Sequence, residues 1–297
     1  MRNHTSPAPD RHPAENNASK RPQRRFSAAK LALTSIAGVA IAVFLVQRPL
    51  TAPLPATVEM SEMTWVEIRS AMTRGYTTVI VPTGGIEQNG PHMITGKHDY
   101  IVRWTANRIA SELGHTLVTS VVSFVPEGDY DPPNGHMRYP GTLGVPEAVF
   151  AQVLEGIARS LKATGFKTIC FIGDHGGNQK PQAEVAEKLS REWAGKSVRV
   201  IHAGDYYAEE AQNKFLRDQG ETPAAIGEHA SIVDTSELLA VYPAGVDIAR
   251  FSERPFSLES TGVSGDPAHA SVERGKALLA IKVDAAVRQI RAALPTN

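Results

Sequence analysis

The sequence predicts an α/β fold: three α/β/α layers with a mostly parallel central sheet. Two observations carry this. Short β-branched apolar runs recur at 77–81, 116–122, 167–172 and 197–202. Segments of helical length and pattern separate them at 100–113, 145–163 and 182–193. Buried strands alternating with such helices build a parallel sheet covered on both faces.

The elements follow in order. A helix is predicted over 64–75, with Trp65, Ile68 and Met72 on one face. The run at 77–81 is a buried strand, followed by a helix over 100–113 and a strand over 116–122. The helix over 145–163 has Pro146 in its first turn and Gly165 at its stop, the asymmetry that proline and glycine impose. The strand at 167–172 holds Cys170, the single cysteine, which excludes an intrachain disulfide and reads as a small core residue. A helix over 182–193, a strand over 197–202, and helices over 235–241 and 271–294 complete the pattern.

The 297 residues divide into four parts. Residues 1–25 are basic and rich in Pro, Asn and Ser, unable to bury a core, and are expected to be disordered. Residues 26–48 contain an uncharged apolar run from Leu31 to Val46 behind basic residues, a signal or membrane-anchor pattern. A Pro-rich linker spans 49–57, and the remaining domain spans 58–297. The N-terminal segment thus predicts membrane contact and an extracytoplasmic, periplasmic location, anchored or secreted. Lys plus Arg total 31 against 31 Asp plus Glu, a balance that excludes a nucleic-acid footprint.

In parallel sheets, ligands bind beyond the C-terminal ends of the strands. The loop after the first strand, 82–99, carries Glu87, Gln88, Asn89, Gly90, Pro91, His92, His98 and Asp99. The loop after the third strand reads Asp174-His175-Gly176-Gly177-Asn178. Further clusters are Asn134-Gly135-His136, ahead of Pro140-Gly141-Thr142, and Glu228-His229, followed by Asp234-Thr235-Ser236. Imidazole nitrogens and carboxylate oxygens in such density are the donors that divalent transition metals take. His4, His12, His115, His202 and His269 have no clustered partners.

Together these four ordered motifs resemble the creatininase (creatinine amidohydrolase) family, from about Val58 to the C-terminal helix. Gly85, Glu87, Gln88, Gly90, Pro91 and His92 match its first motif. The resemblance implies a site for one or two divalent metals (zinc, manganese or iron), hydrolysis of cyclic amides or related C–N bonds in a small molecule, and a homo-oligomer. Two positions depart from the family pattern: Asn89 stands where the family has a metal-ligating His, and His98 where it has a bridging Asp; Gly177 stands where creatininase itself has a further Glu, as in many other relatives.

A carboxylate can bridge two metals and a neutral imidazole cannot. The residues as they stand therefore predict one firm metal on Glu87, His98 and His175, with a second site poorly furnished. Asp99 replaces the bridging Asp only if the loop shifts, and Asp234 holds a second metal or orients a water. The expected nucleophile is a water activated by the metal. His229, supported by Glu228, is the expected proton shuttle. His136, Asn178, His92 and Asn89 are expected at the substrate, with His92 alternatively orienting Glu87. Two other readings stay open: the same fold acting on a carbohydrate-derived ring or lactone, and a non-catalytic metal-binding module.

Overall fold

The computed structural model describes residues 54, 56–252 and 255–294. The tail at 1–25, the apolar segment at 26–48 and most of the linker at 49–57 lie outside the described residues, and so do the expectations placed on them. Among the described residues, no helix is long and apolar enough to cross a membrane.

The elements run α1 (Trp65–Thr73), β1 (Thr78–Thr83), α2 (Lys97–Leu113), β2 (Thr116–Val118), α3 (Glu147–Thr164), β3 (Thr168–Gly173), α4 (Gln179–Glu192), β4 (Arg199–His202), α5 (Glu209–Asp218), α6 (Pro223–Ile226), α7 (Ile232–Val241) and α8 (Val272–Ala293). The four strands form one parallel sheet in the order β2-β1-β3-β4. Strand alternation sorts its core into two layers. Val79, Val81, Ile169 and Phe171 pack with α3 and α4, whose Phe150, Leu154, Val185 and Leu189 are buried. Ile80, Cys170 and Ile172 point the other way, onto Val102, Ala106 and Ile109 of α2 and Val283, Ala286 and Ile290 of α8. The predicted three layers are therefore present. Cys170 is a core residue as expected, and burial pushes its thiol up to about 12.

Two boundaries differ from the sequence reading in ways that matter for the site. Helix α2 begins at Lys97, after Gly96 as N-cap, so Lys97, His98 and Asp99 form its first turn rather than a loop. Strand β2 ends at Val118, but the chain stays beside β1, where Val122 N–H donates to Pro82 O and Gly84 N–H to Val122 O. That detour carries residues 123–127 past the sheet edge. Helices α5 and α6 are not legible as helices in the sequence pattern: α5 is mostly polar and exposed, and α6 is a single turn of four residues, too short to show a period.

The chain leaves β1 towards β2 on one side and β3 towards β4 on the other, so the crevice between the ends of β1 and β3 is a topological switch point. Helices α7 and α8 close that end. Their contact needs a glycine: a Cβ on Gly275 would stand 1.9 Å from Ser236 O. Gly275→Ala is expected to lower stability by about 1–3 kcal/mol, the range for overpacking a tight contact. A urea denaturation curve with unchanged slope and a lower midpoint would show it.

Candidate metal centre

The site is assembled where β1 and β3 end. After Thr83, residues Gly84 and Gly85 lie against the first turn of α2; a Cβ on Gly84 would collide with Asp99 Oδ1 at 1.9 Å. Glu87 then folds inward, its N–H donating to Thr95 O at 3.1 Å. Asp174 and His175 follow β3 directly. Glu127 comes from the detour after β2, and His136 is tied to it by its N–H on Glu127 O at 3.2 Å. Asp234 sits in the first turn of α7, and His229 in the loop before it. These side chains line a cavity of about 480 Å³, the scale of a small-molecule site.

Glu87 is fully buried, and its two oxygens face different company. On the Oε2 side, His136 Nε2 lies at 3.1 Å and His175 Nε2 at 3.3 Å; His175 Nε2 is also 3.3 Å from Glu127 Oε2. One donor atom from each of Glu87, Glu127, His136 and His175 lies within 4.8 Å of all the others. Yet Glu87 Oε2 and both Glu127 oxygens are buried without accepting a hydrogen bond. Buried carboxylate oxygens without donors are costly. Four ligands arranged tetrahedrally at roughly 2.1 Å from a metal stand about 3.4 Å apart, close to the 3.1, 3.3 and 3.3 Å of the Glu87–His136, Glu87–His175 and His175–Glu127 pairs. The donor atoms are gathered within 4.8 Å of one another, and they are of the types a divalent transition metal takes. The group fits such an ion.

The electrostatics agree. Burial, with the Glu87 charge beside it, pushes Glu127 up to about 9, so without a cation the acid holds its proton at neutral pH. Burial lowers His136 to about 4, leaving the neutral imidazole that ligation requires. Burial alone would raise Glu87, but His98, His175 and Lys97 outweigh it and hold the carboxyl well below the usual range.

The Oε1 side is already furnished with protein cations. His98 Nε2 lies 2.7 Å from Glu87 Oε1, and His98 Nδ1 lies 2.8 Å from Asp174 Oδ2. Both ring nitrogens face carboxylate oxygens and so both donate; these two carboxylates raise His98 against the opposing effects of burial and Lys97. The Lys97 ammonium lies 2.7 Å from Asp234 Oδ1 and 3.6 Å from Glu87 Oε1. Behind them runs a second buried pairing. Lys282 Nζ donates to Asp174 and to Glu237 Oε2, and Tyr206 donates its hydroxyl to Asp174 Oδ1 at 2.8 Å.

The structure brings Glu87 and His175 together as the sequence predicts, but His98 stands apart from the four-donor group. Its place in the proposed ligand set is taken by Glu127 and His136. Asp99 turns to the loop, accepting Gly85 N–H at 3.3 Å, and does not line the cavity. Asp234 lines the cavity and binds Lys97 and, through Oδ2, the Ala230 N–H. His229 lines it too. Its Nε2 donates to Gln88 O at 2.9 Å, and its Nδ1 faces Glu87 Oε1 at 3.9 Å. Glu228 is exposed on the cavity wall, and its carboxylate makes no hydrogen bond to His229.

Of the residues expected at the substrate, His136 alone lines the cavity. Asn89 is buried, its amide donating to the carbonyls of Glu87, Ile94 and Thr95. Asn178 is buried with its amide on Thr83 Oγ1 and Gly84 O, tying the two loops together. His92 is buried on Thr235 Oγ1 at 3.0 Å, edge-on to Phe251; burial takes it down to about 4. All three hold loops in place.

Comparison with known proteins points in one direction. The creatininase family model, described as creatinine amidohydrolase, matches residues 61–290. The chain is 25% identical over 258 residues to the creatinine amidohydrolase of Pseudomonas putida, covering 80% of this chain and 98% of that one. It is 28% identical over 194 residues to a 3-dehydro-scyllo-inosose hydrolase of Thermotoga maritima, 64% of this chain and 58% of that protein. It is also 26% identical over 241 residues to a mycofactocin precursor peptide peptidase of Mycobacterium tuberculosis, 73% of this chain and 86% of that one. A solved manganese form of creatininase shares the fold with a TM-score of 0.65 at 24% identity, over 81% of this chain and all of the other. With its model matched across 61–290, nearly the whole described domain, the chain belongs to the creatininase family.

Proposed function

We propose that this chain is a metal-dependent hydrolase that cleaves a C–N bond in a small cyclic amide or related substrate. The observation that carries the proposal is the gathering of donor atoms from Glu87, Glu127, His136 and His175 within 4.8 Å of one another on the wall of one cavity, with three carboxylate oxygens buried there without a hydrogen-bond partner. Those four residues hold the ion in this reading. When bound, a divalent metal there supplies a nucleophilic water near neutral pH and polarises the scissile carbonyl.

The remaining chemistry belongs to the chain. His229 donates Nε2–H to Gln88 O, so its lone pair is at Nδ1, on the cavity side. Burial lowers its basicity and keeps the ring neutral, ready to accept a proton and pass it to the leaving nitrogen. Glu228, on the wall, is placed to meet the polar edge of the substrate rather than to orient His229. Lys97, His98 and Asp174 hold the Glu87 carboxylate in its geometry.

His229→Ala is expected to lower turnover by about 10²–10⁴-fold, the range for a positioned acid–base group. Bound metal, measured by elemental analysis, should stay at the wild-type level, because His229 is outside the ligand set. Unchanged turnover would remove the shuttle role.

Two of the relatives named above are a creatinine amidohydrolase and a peptidase, which supports C–N cleavage. The inosose hydrolase supports a second reading, in which the same site acts on a carbohydrate-derived ring. Hydrolysis assays of metal-loaded full chain on cyclic amides, lactones and inososes separate the two. Turnover confined to the amides supports the first reading, and turnover confined to the rings supports the second. No turnover on any of them, with metal bound, supports the binding-module reading. A homo-oligomer is supported by the exposed aromatic surface of Tyr100, Trp104 and Tyr242; the two tyrosine rings stack at 4.2 Å. The basic and apolar composition of 1–48 supports an anchored or exported, extracytoplasmic setting.

A further inference from the structure

Lys97 is in an unfavourable place for a lysine. It is 1% exposed, and it occupies the first turn of α2, where the helix dipole disfavours a cation. Burying an ammonium costs several kcal/mol before pairing. Something in the site must require the charge. Around Nζ stand Asp234 Oδ1 at 2.7 Å and Glu87 Oε1 at 3.6 Å, and His229 Nδ1 faces the same Glu87 oxygen from 3.9 Å. Two carboxylates and an imidazole are a donor set for a divalent ion. Asn89, on the same loop, is a carboxamide whose nitrogen is a donor only, here to three backbone carbonyls, and so supplies no imidazole-type ligand.

We propose that the Lys97 ammonium takes the place of a second metal ion, neutralising Asp234 and the Oε1 side of Glu87 and confining metal to the Oε2 side. This rests on the metal-dependent reading above and deepens it. The site becomes mononuclear by construction. Its second positive centre is covalently attached, so it does not depend on the supply of a second ion. The Glu87 carboxylate is held between a fixed cation and an exchangeable one.

The test counts metal. Full-length chain, stripped by chelator, is titrated with Zn²⁺ by calorimetry, and bound zinc is measured by elemental analysis after dialysis. The wild type is expected to bind one equivalent. Lys97→Met, which keeps the stem and removes the charge, is expected to bind two, and Lys97→Arg one. Lys97→Gln provides the same neutralisation if the methionine variant does not fold. Two equivalents in the wild type would overturn the proposal, as would one equivalent in folded Lys97→Met or Lys97→Gln. No zinc in the wild type would overturn the metal-dependent reading itself, a result distinct from either.

Discussion

Glu87→Gln is expected to lower turnover by at least about 10³-fold and to release the metal. The substitution keeps shape and burial and removes the one anionic group that both halves of the cluster share. On the Oε2 side, His136 and His175 lose the carboxylate that converges with them. On the Oε1 side, Lys97 and His98 lose a counter-charge while remaining buried. A catalytic metal contributes several kcal/mol to transition-state stabilisation, and each 1.36 kcal/mol is tenfold in rate, so losing about 4 kcal/mol gives the stated factor. Steady-state turnover together with bound metal per chain measures both effects. Retained metal with lost turnover would place Glu87 outside the ligand set.

Lys282→Met is expected to cost about 3–5 kcal/mol of stability, the range for stranding buried charges. Lys282 comes from the middle of α8 and is 4% exposed. Its ammonium is the shared partner of Asp174 and Glu237, each 3% exposed or less, and it lies 5.0 Å from the centre of the Tyr206 ring. Removing it leaves two buried carboxylates without the ammonium they share. Glu237, which burial raises to about 7 even beside Lys282, would take up a proton, and Asp174 would keep only His98 of the two cations that offset its burial. The double variant Lys282→Met/Glu237→Gln should recover part of the loss, because the two residues interact directly. Chemical denaturation of the single and double variants measures this; purely additive losses would argue against the pairing. The effect reaches the site, since Asp174 orients His98 and His98 holds Glu87.

The fold was readable because its strands are plain: 77–81 and 167–172 are apolar runs between helices with clear periods, and both became central strands. Glu87 and His175, which stand in the loops that follow β1 and β3, are legible in the sequence and fall in the candidate four-donor group. His98 was misplaced by boundary, not by identity. A histidine in a loop is free to turn to a metal; on the first turn of α2 His98 is trapped between Glu87 and Asp174. Glu127 was missed because the strand before it fades, and only the detour along β1 reveals that Pro126-Glu127-Gly128 arrives at the same edge. Lys97 and Lys282 were missed for a common reason. A lysine in a polar segment or an amphipathic helix reads as a solvent-facing charge, and nothing local shows that it is buried against carboxylates more than a hundred residues away.

The position of the metal tests this account most directly. A crystal of the full chain equilibrated with Mn²⁺ should give one anomalous-scattering peak per chain, within bonding distance of Glu87 Oε2, Glu127, His136 Nε2 and His175 Nε2, with His98 and Asp99 away from it. A peak bonded to His98 or Asp99 in place of Glu127 and His136, or no peak at all, would contradict it.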